Sequence, residues 1–390
     1  MKKILFSILS AFMVSTMASA QYLNVKLKDG TYRSFKTSSK TEVSFGDKKG
    51  TEPTEFEQTV TVGGYKVTVK LADGTPASDV ALHAFIEGDK VKIKAMCWDG
   101  YGLECIKDNE ALTPDEALTP IAANGFYTFT VSNISNDVVV TVGYIMVKFD
   151  LNNSNITDNF KAKPEDITKM GYNSTVPLTY VSAEKHSFRG WYTDKECTKA
   201  WNYSTGVTKS MTLYAKWAED PTGTKINGHN FVKLGGYYWA TENVGYCGDV
   251  TAVADPNTTD NGWGSYFYKQ AENNALDAAK SLGGTWTLPS VAQWQALIDY
   301  CKWEWEEDYN KTGMNGYVVK GRDDTYESDN SVFLPAAGHC YDGNRNVFGQ
   351  GFLGYYWSSD SENYLVISSG LLSMEIIDSY YGMPVRPVAE

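Results

Sequence analysis

Residues 59–71 read TVTVGGYKVTVKL. Val60 and Val62, then Tyr65, Val67, Val69 and Leu71, alternate on either side of Gly63-Gly64. A period of two around a two-residue glycine turn marks a β-hairpin. The same period recurs outward along the chain at Leu82, Ala84 and Ile86, at Val91, Ile93 and Ala95, at Tyr127, Phe129 and Val131, and through a closing run from Val138 to Val142. Short alternating strands of this kind predict a small β-sandwich over 55–143, and KLADGTPASDVAL (70–82) gives it the look of an immunoglobulin-like module. Cys97 and Cys105 flank the short polar loop WDGYGLE and are the candidate disulfide, which would close a hairpin.

Upstream, Lys2 and Lys3 precede a mostly apolar stretch at 4–14, and Ala18-Ser19-Ala20 supplies the small-x-small pattern of a signal peptidase site. Residues 1–20 are therefore expected to be a secretory signal removed before Gln21. The apolar stretch is too short to span a bilayer, and no later segment approaches its length, so no membrane insertion is expected. A lipid anchor would need a cysteine after the cleavage point, where this chain has Gln21 and Tyr22. Residues 21–46 read as an N-terminal β-hairpin: Leu23, Val25 and Leu27 share a face, Asp29-Gly30 is a favoured turn, and Tyr32 and Phe35 return. With Ser44, Phe45, Gly46 and Asp47 at its end, this segment is similar to a short leader at the mature start of exported Bacteroidetes proteins.

The formal charge of -12 argues against nucleic acid or an anionic membrane surface as partner. Six cysteines are too few for a disulfide-stapled scaffold, no CxxC occurs, and the four histidines are scattered. No metal or cofactor is expected from these spacings.

Between two polar, Pro- and Gly-bearing linkers at 47–55 and 218–224 lies a segment with four ordered motifs: VKFDLNNSN, MGYNSTVP, HSFRGWYTDKECTKAW and VTKSMTLYAKW. Through Phe149, Leu151, Tyr172, Pro177, Phe188, Gly190, Trp191, Tyr192, Cys197, Leu213, Tyr214, Ala215 and Trp217, residues 144–217 resemble the Listeria-Bacteroides (InlB B-type) repeat. That resemblance implies a small β-grasp fold acting as a spacer or adhesion module. Read by itself, the alternation of Phe188, Gly190 and Tyr192, and of Leu213, Ala215 and Trp217, is the core face of a sheet.

The last region, 225–390, is rich in Gly, Tyr, Trp and Asn and predicts a loop-heavy α+β domain with an aromatic core. Ala275, Ala278, Ala279 and Leu282 stand at helical spacing ahead of Gly283, a C-cap. Ser290 and Gln293 can form a capping box for a second helix whose buried stripe is Trp294, Leu297, Ile298 and Cys301. The motifs YYWATENVG, DAAKSLGGTWTLPSVAQWQAL, GMNGYVVKG, SVFLPAAG, GYYWSSD and VRPV resemble the Fibrobacter succinogenes major paralogous domain. This resemblance implies a C-type-lectin-like fold, distantly akin to formylglycine-generating enzymes. The EPN or QPD tripeptide of calcium-dependent lectins is absent, Trp357 is followed by SSDSEN, and Cys301 and Cys340 match no copper-binding pair. The acids Glu304, Glu306, Glu307 and Asp308 read as the solvated end of a helix, and Asp323, Asp324, Glu327 and Asp329 as a polar loop without calcium-loop spacing.

The sequence thus predicts a multi-domain, mainly β chain: hairpin, immunoglobulin-like sandwich, β-grasp repeat and α+β C-type-lectin-like head. The function expected is non-catalytic binding or adhesion, exported to the cell envelope, cell surface or medium, with a host or bacterial glycan or surface protein as partner. A structural or fimbria-associated envelope component is the alternative. GHCYDGNRNVFGQGFLG (338–354) reads as a long surface loop, and the candidate ligand contacts are Tyr341, Asp342, Asn344, Arg345 and Asn346, joined by Tyr364.

Overall fold

The structure is a computed structural model. It describes residues 57–77, 79–97, 99–115, 126–245, 263–268, 275–341, 344–360, 362–377 and 381–390, with Phe126, Asn344, Arg345 and Asn346 described by backbone alone. The backbones of Tyr22–Lys26 and Tyr32–Lys36 are also described and pair antiparallel, with Leu23 opposite Phe35. The segment 1–20 and the Asp29-Gly30 turn lie outside the described residues. The architecture is mainly β, built from several small sheets. The chain divides into two compact units. One is Met1–Lys148 with Asp166–Pro177 and Asn202–Thr212; the other is Phe149–Glu165, Leu178–Trp201 and Leu213–Glu390.

In the first unit a five-stranded sheet, in the order Glu57–Val62, Tyr65–Leu71, Val138–Tyr144, Leu103–Lys107 and Glu110–Leu112, is joined by a three-stranded one of Val80–Glu87, Lys90–Cys97 and Phe126–Val131. The alternating residues meet in one core, where Val67, Val69, Ala84, Ile93, Phe129, Val140 and Val142 are fully buried. Tyr65 and Ile86, at strand ends, are exposed. The strand Leu103–Lys107 escapes a period-two reading because Leu103, Glu104 and Cys105 are all buried. The Glu104 carboxylate is satisfied there by the hydroxyl (2.6 Å) and amide (2.7 Å) of Ser210. Cys97 and Cys105 do not form the expected disulfide. Both are free and buried, and they lie on strands of different sheets, because the chain passes from one sheet to the other between them instead of turning back. Burial pushes the Cys105 thiol up to about 12.

The second unit holds most of the repeat and all of the last region. In the repeat, Val147–Asp150, Met211–Glu219 and His186–Tyr192 form a three-stranded sheet. Its ladder is shifted by a bulge between Phe188 and Trp191, with Gly190 at φ +101°. The strict alternation expected at Phe188, Gly190 and Tyr192 is therefore replaced: Phe188 and Trp191 are the buried pair, and Tyr192 is half-buried.

Among the described residues, the last region holds four small antiparallel sheets and two α-helices, α1 (Ala275–Lys280) and α2 (Val291–Tyr300). Both helix ends follow the sequence. The Gly283 amide donates to Lys280 O (2.9 Å) at φ +72°, and Ser290 and Gln293 form the reciprocal capping box. Trp294 and Leu297 are buried against Trp239, Tyr356 and Leu365. The acids 304–306 stand not at a helix end but on the strand Lys302–Glu306, where Glu304 pairs with Lys320 (2.5 Å).

Within this unit the repeat and the last region share a buried polar network. Glu327, expected on a solvated loop, is buried; it accepts hydrogen bonds from the Tyr180 hydroxyl (2.8 Å) and the Gly235 amide (2.9 Å). Tyr180 packs 4.7 Å from Tyr300, centroid to centroid, and 5.4 Å from Phe188. Gly236 passes so close to Phe188 O that a Cβ would run into that carbonyl.

Candidate functional site

The segment 338–354 is not a loop. His339–Tyr341 and Asn344–Phe348 are antiparallel strands, and Tyr381–Gly382 pairs along the other side of His339–Tyr341. Side chains two apart on a strand share a face. His339 and Tyr341 therefore project together, Phe348 stands opposite His339, and Tyr381 stands opposite Tyr341. The ring distances make this one connected aromatic surface: Tyr341 to Tyr381 is 5.4 Å, His339 to Tyr381 is 5.1 Å and His339 to Phe348 is 6.0 Å. Cys340 points to the opposite, buried side, its sulfur 3.4 Å from the Tyr268 hydroxyl.

Exposure singles out this face. Tyr341 is 49% exposed and Phe348 46%, and Phe352, in the turn leading to the strand Leu353–Trp357, is 76% exposed. Tyr355 packs edge-on to His339 at 4.7 Å, and Tyr364 follows behind Tyr355 at 5.7 Å. Tyr364 is thus a buried support for the face, not the surface contact expected of it. The physical reason is that Tyr364 opens the central strand of its sheet, directly opposite the fully buried Trp357. Of the other expected contacts, Asp342 lies outside the described residues, and Asn344, Arg345 and Asn346 are placed by backbone on the outer strand.

His339 is the titratable group within the face. Its Nδ1 is buried and has no hydrogen-bond partner among the described residues, and burial holds the imidazole below its ordinary value. Both facts favour the neutral ring at neutral pH. Burial likewise raises Tyr355 and Tyr364 above the usual phenol range. Such a surface stacks on flat apolar ring faces and offers hydroxyls at its rim.

Two other places in this unit were candidates. A cleft of about 110 Å³ is lined by Gly228, His229, Asn230, Ala240, Thr241, Glu242, Asn243, Val244 and Leu282, small beside the roughly 300–1,000 Å³ of ligand pockets. Beside it Arg386 is fully buried, donating to Asn243 Oδ1 (2.8 Å) and to the carbonyls of Ala240, Thr241 and Phe333, each at 3.0 or 3.1 Å. Burial lowers its guanidinium to about 10, and its bonds are spent on holding the C-terminal strand in place. Cys301 is pushed well above the ordinary thiol range by burial, which leaves it protonated and not a nucleophile. Among the described residues no group of three or more His, Cys, Asp and Glu side chains is gathered as a metal site.

His339, Phe348, Tyr355 and Tyr381 were missed as site residues in the sequence. The Asp342-Gly343 pair between HCY and NRNVF was a hairpin signal. Nothing in the sequence announces that Tyr381 returns from forty residues downstream to lie beside Tyr341.

The chain has similarity to two proteins of Evansella cellulosilytica that carry membrane-protein names. One is 28% identical over 233 residues, 58% of this chain and 32% of the relative. The other, named as Gly-rich, is 27% identical over 177 residues, 36% of this chain and 19% of the relative. The chain therefore spans about a third and a fifth of their lengths. No solved structure matches it. The family model for the Listeria-Bacteroides repeat domain matches residues 146–216, the segment whose motifs carried that resemblance. Residues 146–216 are a Listeria-Bacteroides repeat region, a domain type that is adhesive or structural and not catalytic.

Proposed function

We propose that this is an exported, non-catalytic binding protein of the bacterial cell envelope or surface, whose last domain presents the aromatic face around Tyr341 to a glycan. The observation that carries the reading is the aromatic row of exposed Tyr341 and Phe348 with half-buried Tyr381, and exposed Phe352 in the adjoining turn. Aromatic rings on a rigid sheet stack on the apolar faces of sugars at little entropic cost. An immunoglobulin-like sandwich, a β-grasp repeat and a C-type-lectin-like head remain the readings of the three domains that fit this role. The membrane-protein names of the relatives agree with an envelope location, and among the described residues no helix is long and apolar enough to cross a bilayer.

The test is binding of the mature chain to a broad array of host and bacterial glycans, in calcium and in EDTA. The reading expects binding that EDTA leaves unchanged, because the face uses rings and hydroxyls and not a cation. Binding abolished by EDTA rejects the metal-free aromatic face as the site, and no binding to any glycan moves the partner to a surface protein.

A further inference from the structure

Sheet edges expose unpaired backbone groups, and proteins guard them with charges, prolines, bulges or cover. Four edge strands show such guards. The Gln58 side chain exchanges two hydrogen bonds with the Ala84 backbone (2.6 and 2.8 Å), plugging the edge of Val80–Glu87. The Asp115 amide donates to Thr128 O (2.8 Å) on the edge of Phe126–Val131. Arg386 and Tyr356 donate to Phe333 O (3.0 Å) and Pro335 O (2.6 Å) on Ser331–Pro335. Lys302–Glu306 alternates charged side chains along its length.

The strand Leu371–Ile376 is less guarded: its one charge is Glu375, and its Met374 carbonyl accepts the hydroxyl of the neighbouring Ser373 (3.3 Å). It reads LLSMEI, without proline or lysine, and pairs with Asn363–Ser368 in an unbroken ladder. The Ile377 amide donates to Glu362 O (2.9 Å), so odd-numbered positions turn their backbone groups inward. Leu372, Met374 and Ile376 therefore turn theirs outward. No described residue's backbone pairs with this outer edge. The side chains of these three residues share one face. Leu372 and Met374 pack on the core of Trp294, Leu365 and Ile367, whereas Ile376 continues that face at 72% exposed.

We infer that this edge is an interaction surface for a second copy of the chain, two copies pairing antiparallel through Leu371–Ile376 about a two-fold axis at Met374. Such an axis stands perpendicular to the sheet, so facing residues must share parity, and the outward groups are all on even positions. In this register Met374 meets the partner's Met374 and Leu372 meets the partner's Ile376, so each outward backbone group finds a partner and exposed Ile376 is covered by apolar side chains. The lone charge of the strand, Glu375, falls opposite the partner's Ser373 and not opposite another carboxylate. A register centred on Leu372 or Ile376 leaves outward groups unpaired. The result is one continuous sheet made from two three-stranded ones, carrying two copies of the aromatic face; the inference does not depend on what that face binds.

The test is sedimentation of the mature chain over a range of concentrations, combined with amide hydrogen exchange. The expected result is a monomer–dimer equilibrium in which the amides of Leu372, Met374 and Ile376 slow as the dimer fills. Ile376→Lys, at a side chain too exposed to disturb the monomer core, should weaken the dimer at least about tenfold while circular dichroism stays unchanged. A monomer at every concentration with those three amides exchanging freely overturns the inference. A dimer that survives Ile376→Lys with the same amides unprotected overturns it as well.

Discussion

Glu327 shows how far a single side chain can depart from its local sequence. Burial pushes its carboxyl above the usual range, opposed by Lys233, the Tyr180 hydroxyl and the amides of Gly235 and Gly236. A carboxyl raised in the folded state favours folding fully below its unfolded value, near 4.5, and loses that contribution as pH rises through the folded value. Glu327→Gln keeps an acceptor for Gly235 and a polar partner for Tyr180 without the buried charge. It is therefore expected to match the parent at acid pH and to gain on it as pH rises above about 4.5, as read by denaturant melts across pH. Glu327→Ala leaves both donors unpaired and should cost about 1–3 kcal/mol. His339 has the opposite dependence. Its imidazole is held below 6.5 by burial, so the folded state resists protonation and loses stability as pH falls below that value. His339→Phe should flatten that loss in parallel melts, and an unchanged slope would place the titration elsewhere. The sequence could not show either residue's environment. YESDN and GHCY read as polar loops because the partners that bury them, Tyr180 for Glu327 and Tyr355 and Tyr381 for His339, lie far along the chain.

Among the elements, those with a complete local signal were legible. Val60 and Val62 ahead of Gly63-Gly64, the Ser290–Gln293 box and the Gly283 cap all fold as their spacing dictates, since each is decided within a few residues. The strands His339–Tyr341 and Asn344–Phe348 and the strand Leu103–Lys107 were not read. The first two are short and polar, and the third is buried at consecutive positions, so none presents the period of two on which the reading depends. The bulge at Gly190 has the same origin, because it moves Trp191 inward out of phase with Phe188. Gln58 is an element-level device too. Gln58→Leu is expected to strand the buried Ala84 amide and carbonyl and to lower stability by about 1–3 kcal/mol in a denaturant melt, with exchange of the Ala84 amide accelerated. Stability equal to that of the parent would show that the Gln58 bonds contribute nothing.

At the scale of the molecule, the mainly β, multi-domain character was open to reading from composition and period, and the repeat from its ordered motifs. The grouping of segments was not: most of the repeat and all of the last region belong to one compact unit, joined by Tyr180, Phe188, Tyr300 and Glu327. A spacer-like module is expected to melt separately from its neighbour, whereas this arrangement predicts a single calorimetric transition for the two. Tyr180→Ala should lower that transition as a whole, by about 3–5 kcal/mol for loss of a buried aromatic side chain. Two resolved transitions, with only one moved by Tyr180→Ala, would show them to be independent. The central claim is that the unit's exposed aromatic face is where the protein binds, and the most direct measurement is glycan-array binding of the mature chain beside Tyr341→Ala and Phe352→Ala at matched circular dichroism. The account predicts that both variants keep the fold and lose the binding of the parent; binding retained at full strength by both would contradict it.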